Sequence, residues 1–466
     1  MSEIKTTEEL ATELLTQKKN GFFKVSEEEI AKAYDFAEGY KHFLNESKTE
    51  REAVDFAIAE AKAKGFVEFD PTVKYNAGDK VYYNNRGKAL CLAVIGKNGT
   101  KNGVRISAAH IDSPRIDLKP IPLYESNDTA MFKTHYYGGI RKYQWVAMPL
   151  AMHGVVVKKN GETVEIKIGE KDGDLNFCIT DLLPHLAQEQ STKTLAAAFT
   201  GEDLNITVGS RPVNDEKAKD AFKLNTMKIL NEMYGIVEDD FLSAEIEFVP
   251  AFKANDVGFD RALIGSYGHD DRVCAYPAME AIFAVENPED TIITVFADKE
   301  EVGSDGNTGL NSSYMKYFIE DLAKMDGLEG RHVLSKSTCL SADVTAAYDP
   351  NYPSAFEPKN SCYVNYGIGV AKYTGARGKG GTSDANAEYV AKVRKVFDDA
   401  EVMWQMGELG RVDLGGGGTV AKYVANLNID VIDVGVPVLS MHSPYEVVAK
   451  LDVYMAFKGF KAFFEA

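Results

Sequence analysis

The sequence predicts an α/β protein, a three-layer domain on a mostly parallel sheet with a β-rich insertion, and three observations predict it. From Pro250 onward, apolar strand-length runs alternate with helical runs, the pattern of a parallel sheet covered on both faces. Between about Leu118 and Glu247 the texture changes to alternating strand patterns with turn signals. Finally, 466 residues at 45% hydrophobic and 26% charged suit two or three domains, each with its own core. The expected division assigns 1–117 and 248–466 to two parts of one domain and 118–247 to the insertion.

In chain order, Ser26 and Glu29 form a capping box ahead of a periodic run through Ala33, Phe36 and Phe43. A second helix is expected from about Thr49 to Lys64, stopped by Gly65. Strand-like runs follow at Lys80–Tyr83 and Ala89–Ile95 around the turn Asn84-Asn85-Arg86-Gly87. The run Gly103–Ala109 then delivers His110 at its end. Within the insertion, Asn160-Gly161 marks a hairpin turn. Further on come a helix Arg272–Val285, a buried strand Thr291–Ala297 and a helix near Ser312–Met325. After these the pattern gives a strand Ser337–Asp343, a helix near Ser383–Phe397, a strand Asp430–Ser440 and a last helix Pro444–Glu465.

The charge balance narrows the partners. Fifty-two Lys+Arg against 70 Asp+Glu give −18, which repels phosphate backbones and argues against nucleic acid. No window approaches the roughly 20 apolar residues of a membrane-spanning helix. The stretch Met1–Asn20 is polar and lacks the apolar core of a signal peptide. Five scattered cysteines without a CxxC pair are expected to be reduced thiols of a cytoplasmic protein.

Five short segments put acids or imidazoles at a strand end or beside a glycine turn: Ala109-His110-Ile111-Asp112-Ser113-Pro114, Gly268-His269-Asp270-Asp271-Arg272, Asp298-Lys299-Glu300-Glu301-Val302-Gly303-Ser304, Ser341-Ala342-Asp343 and Ser440-Met441-His442-Ser443-Pro444. Sites in open α/β sheets lie beyond the carboxyl ends of strands, so the five can converge. One histidine and two or three carboxylates per ion suit zinc, manganese or cobalt. A shared aspartate would hold two ions roughly 3.5–4 Å apart, as in two-metal hydrolases. A further carboxylate is then needed to take a proton from water, and Glu300-Glu301 offers one ligand and one base. The run Gly415-Gly416-Gly417-Gly418-Thr419 lacks the Lys-Ser/Thr ending of a phosphate loop.

Taken in order, AHxDSP, HDDR, EEVGS, SAD and SMHSP resemble the aspartyl aminopeptidase family of co-catalytic zinc peptidases, nearest its bacterial branch, from about Tyr82 to the end. The resemblance implies two divalent ions per subunit, with His110 and Asp343 on one, Glu301 and His442 on the other, and Asp270 between them. Asp271 would make outer contacts, Asp112 would fix the tautomer of His110, and Glu300 would serve as general base and acid. It also implies that His185, in Leu183-Pro184-His185-Leu186, reaches a neighbouring subunit's site to stabilise an oxyanion, with the insertion as a dimerisation domain. Gly417 and Gly418 would contact substrate through their backbone, where only glycine allows close approach. Lys372 would be the cation for an acidic substrate side chain, although the extra Arg377-Gly378-Lys379-Gly380-Gly381 stretch departs from the family pattern and competes for that role.

The activity so implied is removal of N-terminal residues, preferably Asp or Glu, from peptides, within a homo-oligomer, a tetrahedral dodecamer. Because the metal set alone does not choose the scissile bond, a related two-metal amidase, deacylase or carboxypeptidase stays open at this level, as does a non-catalytic scaffold with the same fold.

Overall fold

Residues 5–466 are described by a computed structural model; the first four residues of the polar stretch Met1–Asn20 lie outside the described residues. A nine-stranded sheet organises the larger part. Its order is Val67–Glu68, Lys80–Asn85, Ala89–Val94, Ile292–Ala297, Arg105–His110, Thr338–Ser341, Asp430–Gly435, Ile368–Ala371 and Trp404–Met406. The four strands from Ile292–Ala297 to Asp430–Gly435 run parallel to one another. Parallel strands buried on both faces need apolar residues throughout, and Ile292-Ile293-Thr294-Val295-Phe296-Ala297 is buried at every position.

Side chains alternate between two cores. Leu90, Leu92, Ile292 and Phe296 enter the one on the side of the helices Glu27–Glu46, Glu50–Ala63, His269–Ala284 and Lys450–Glu465. Cys91, Ala93, Ile293 and Val295 enter the other, under Tyr314–Met325 and Ala421–Ala425. Each fully buried Leu, Ile or Phe contributes roughly 1.5–3 kcal/mol. Because the central strands share one direction, His110, Asp298, Asp343 and the chain after Gly435 all emerge at the same sheet edge.

The segment after Pro114 builds a second, wholly antiparallel sheet, ordered Thr163–Ile168, Leu150–Val157, Ala244–Pro250, Arg115–Ser126, Thr129–Tyr137 and Ile206–Gly209. Its outgoing and returning strands pair directly, Asp117 opposite Glu247 and Ile116 opposite Phe248. The region also carries a 14-residue helix, Ala221–Tyr234, that the sequence texture did not announce. Asp220 at its start makes no capping bond; the Glu125 carboxylate, distant in sequence, accepts from Phe222 N at 2.8 Å and Lys223 N at 2.9 Å instead. The apolar residues do not form one stripe: Leu230 is buried while Leu224, Ile229 and Met233 are exposed.

Other boundaries moved for identifiable reasons. The expected strand Asp430–Ser440 is two strands, Asp430–Gly435 and Pro437–Leu439, in different sheets, because proline cannot donate to a continuing ladder. The expected helix from Pro444 begins only at Lys450. The β-branched pair Val447-Val448 lies instead in the strand Glu446–Ala449 of a five-stranded sheet with Asn255–Val257, Leu263–Ser266, Pro437–Leu439 and Thr345–Ala346. The expected helix near Ser383 starts at Ala387, capped by Asn386. Ser26 accepts from Glu29 N, but the return half of that capping box is absent because the Glu29 carboxylate pairs with Lys458.

Candidate metal centre

His110 closes the strand Arg105–His110 with its side chain buried. Its Nδ1–H donates to the Asp112 backbone carbonyl at 3.0 Å and lies 3.3 Å from Asp112 Oδ1. Nε2 is therefore the nitrogen turned to the acids and the one that would bind a metal, 3.0 Å from Asp270 Oδ1 and 3.8 Å from Asp343 Oδ1. Asp270 lies in the turn after Gly268, with a cis Asp270–Asp271 peptide, at the mouth of the helix His269–Ala284. Its second oxygen, Oδ2, is 3.2 Å from His442 Nε2, and Glu301 Oε2 is 3.7 Å from that same nitrogen. His442 Nδ1–H donates to the Gly139 carbonyl at 3.0 Å, which leaves its Nε2 free as well. Two donor groups result, His110/Asp270/Asp343 and Asp270/Glu301/His442, with the ligand atoms of each within 4.8 Å of one another.

The surroundings hold these groups in place. The buried Asp112 carboxylate accepts from Glu300 N (3.1 Å), Glu301 N (3.2 Å) and the Tyr137 hydroxyl (2.8 Å), so one side chain orients His110 and fixes the Glu-Glu turn. Asp271 belongs to neither donor group; its Oδ2 accepts the His110 backbone N–H. Ser113 Oγ donates to the Asp270 carbonyl at 2.6 Å. Glu446, fully buried, accepts from His442 N at 2.8 Å and Asp270 N at 3.1 Å, bracing two of the five donors from behind. Gly435 must be glycine, since a Cβ there would lie 1.6 Å from the Asp343 carbonyl oxygen.

The electrostatics ask for cations. Burial pushes Glu301 and Asp343 well above the carboxylate range, with neighbouring carboxylates adding to the effect. Burial works against protonated His110 and His442 too, yet the hydrogen bonds that Asp112 and Asp270 accept from the first, and Asp270 from the second, outweigh it and raise both, His442 to about 11. Glu300 is pushed up to about 7, chiefly by burial, with Asp112 and Asp270 adding to the rise and the two imidazoles opposing it. No Lys or Arg among the described residues makes a salt bridge to Asp112, Asp270, Glu300, Glu301 or Asp343. Glu301 Oε1 is buried without a hydrogen-bond partner. An acid-rich, imidazole-bearing pocket with an unsatisfied carboxylate oxygen fits divalent ions bound through N and O, and binding them would expel the surplus protons.

The donors open onto a cleft of about 460 Å³ lined by Glu300, Thr345, Leu409, Met441 and the Gly416–Thr419 loop, so Gly417 and Gly418 face the same space as the acids. Asp433 anchors that loop by accepting from Thr419 Oγ1 at 2.7 Å. Lys372 is not on the wall: its ammonium is 2.8 Å from Asp384, whose other oxygen holds Lys379. His185 is exposed on the turn Pro184–Leu186 and does not line this chain's cleft. The sequence reading missed Glu446, Tyr137, Arg141 and Gln144. Only Glu446 carried a signal, an acid four residues past His442, and it was hidden by reading Pro444 as a helix start.

Acids and imidazoles gathered at the carboxyl edge of a parallel sheet define a metal-dependent hydrolase. The chain belongs to the M18 family of zinc aminopeptidases: the family model described as aminopeptidase I zinc metalloprotease matches residues 43–464. It is therefore an enzyme, a zinc metallo-exopeptidase. It is 47% identical over 462 residues to a probable M18 family aminopeptidase 1 of Clostridium acetobutylicum, covering 97% of this chain and 99% of that one. The crystal structure of an M18 aminopeptidase from Thermotoga maritima superposes with a TM-score of 0.92 at 43% identity, over 97% of this chain and 99% of that chain. The mApe1 dodecamer of S. cerevisiae shares the fold, with a TM-score of 0.74 at 21% identity over 92% of this chain and 96% of that one. No helix among the described residues is long and apolar enough to cross a membrane.

Proposed function

We propose that this aminopeptidase acts through two divalent ions per subunit and prefers peptides beginning with Asp or Glu. The observation that carries the two-ion reading is Asp270, whose two oxygens each face one imidazole, at 3.0 and 3.2 Å. His110 and Asp343 would hold one ion and Glu301 and His442 the other. Bound there, zinc supplies Lewis acidity toward the scissile carbonyl and lowers the pKa of the attacking water.

The chain's own residues do the rest. A free substrate α-amine, docked against the donor groups, restricts cleavage to the first peptide bond. The Glu300 carboxylate takes a proton from water and returns it to the leaving amine, a task suited to a group raised toward neutral pH. Asp112 holds the Glu300 backbone and the His110 ring in register during that exchange. Gly417 and Gly418 offer backbone contacts along the cleft.

The segment 118–247 is read as the dimerisation domain of a homo-oligomer, a dodecamer in the strongest form. Exposed Leu182, Leu183, Leu186 and Leu195 around His185 support this reading, since an apolar cluster of that kind is normally covered. His185 from another copy would then reach the cleft and stabilise the oxyanion.

The test is Glu300→Gln, assayed on aspartyl-p-nitroanilide with zinc content measured in parallel. Two zinc per chain with kcat lowered about 10²–10⁴-fold is expected. Full turnover in the zinc-loaded variant would remove Glu300 from the mechanism, and one zinc per active chain would remove the second ion.

A further inference from the structure

Resting on the acidic-residue preference proposed above, we infer that Arg141 is the side chain that recognises the substrate's acidic first residue. The cleft wall carries five carboxylates, Asp270, Glu300, Glu301, Asp343 and Asp433. Against them, Arg141 is the one Lys or Arg lining the cleft among the described residues. An incoming carboxylate side chain needs a partner of opposite sign that is not already spent on the acids around it.

Arg141 meets that condition. Among the described residues its guanidinium makes no salt bridge, and it lies over the face of Tyr143, 5.0 Å from the ring centre. Lys372, by contrast, shares the Asp384 carboxylate with Lys379, so its charge is already balanced away from the cleft.

Position supports the same reading. Gly139, two residues earlier, accepts at its carbonyl from the His442 ring Nδ1–H at 3.0 Å. Two residues of chain span at most about 7 Å. The loop that fixes His442 therefore also places Arg141 beside the donor groups, where a substrate's first residue must lie to be cleaved. Gln144, on the same wall, adds a neutral donor. A guanidinium presents its N–H groups as a fork that matches a carboxylate through two parallel hydrogen bonds, a match an amide substrate cannot make.

The experiment compares kcat/KM for aspartyl- and asparaginyl-p-nitroanilide, nearly isosteric substrates differing in charge, in zinc-loaded wild type, Arg141→Gln, Arg141→Lys and Lys372→Gln. The Asp/Asn ratio is expected to fall about 10–100-fold in Arg141→Gln, the strength of a charge-assisted contact. Arg141→Lys should recover part of it, which a purely structural role would not produce. Three outcomes overturn the inference. One is an Asp/Asn ratio held within about threefold in Arg141→Gln while Lys372→Gln collapses it. Another, read on aspartyl dipeptides and their C-terminal amides assayed alongside, is a loss in Arg141→Gln confined to the dipeptides, which would make Arg141 a reader of the terminal carboxylate. A wild-type enzyme that cleaves both substrates equally well sinks the acidic preference itself, and it is told apart because no variant is needed to see it.

Discussion

Two buried histidines in this molecule are each held between two carboxylates, and only one belongs to a site. His110 sits between Asp112 and Asp270 at the edge of the large sheet. His153, on the strand Leu150–Val157, sits between Glu52 at 2.8 Å and Glu170 at 3.2 Å, where the helix Glu50–Ala63 meets the antiparallel sheet. Around His153 the charges close: Lys48 reaches Glu170 at 3.3 Å and Lys167 reaches Glu52 at 3.3 Å. Around His110 they do not. Asp343 and Glu300 add two more acids, no Lys or Arg makes a salt bridge to them among the described residues, and the cluster opens on a cleft. Buried charge alone is therefore no mark of function; an excess of acids facing a cavity is a stronger one, because desolvated carboxyl groups without ion-pair partners take up protons unless something cationic binds.

Breaking the open cluster should have the largest effect. Asp270→Asn is expected to release zinc from both donor groups and abolish turnover, with a loss at least as large as that of Glu300→Gln; metal analysis and p-nitroanilide assays on the same preparation read both. Retention of both zinc ions in that variant would separate Asp270 from the bridging position. A step down in size, Glu446→Gln removes the brace behind His442 and Asp270 without touching a donor atom. It should weaken zinc binding about 10–100-fold, measured by chelator competition. Unchanged zinc affinity would mean that the two backbone N–H bonds do not set donor geometry.

The closed cluster should answer in stability alone. His153→Gln is expected to destabilise the fold by up to about 3 kcal/mol, since it strips the part-buried Glu52 and Glu170 of a partner, while kcat of the zinc-loaded enzyme stays as in wild type. Its pH dependence follows from the shifts. Burial works against protonated His153, but the hydrogen bonds and charges of Glu170 and Glu52 prevail and raise it. Its contribution is thus complete below its ordinary value near 6.5 and disappears as pH rises through the elevated one. Burial opposes the Glu52 carboxylate too, yet His153, Lys167 and the Lys48 backbone pull it down to about 2, so its contribution is complete above its ordinary value near 4.3 and disappears as pH falls toward 2. The difference in melting temperature between wild type and His153→Gln should peak at about pH 5–6 and narrow above it. A difference that widens from pH 6 to 9 would contradict the ion-pair account.

Much of the large sheet was legible because two-sided burial forces continuous apolar strands, as in Ile292–Ala297, and because Ser and Thr announce helix starts, as Thr49 does with Glu52. Strand ends bearing His110, Asp343 and the Glu300-Glu301 turn were equally visible, since five such acid or imidazole segments in one chain stand out together even though each alone could be a cap or an ion-pair partner. Less legible was whatever depends on partners distant in sequence. Tyr137 reaches Asp112 from 25 residues away, and Glu446 reaches Asp270 from 176 away. Lys372 and Arg141 are both basic residues near glycines. What separates them is Asp384, which neutralises one and leaves the other facing the cleft.

The sequence by itself determined the layered fold, the order of its elements and the kinds of side chain offered at the carboxyl edge of the sheet, because periodicity and strand-end chemistry are local properties of the chain. Tertiary structure alone decided which of those side chains share a donor group, which nitrogen of each histidine is free, which charges are cancelled and which basic residue lines the cleft. Each of these turns on distances of 3–4 Å between segments far apart in the chain, and Coulomb and hydrogen-bond energies at that range depend on the closed fold and its low internal dielectric.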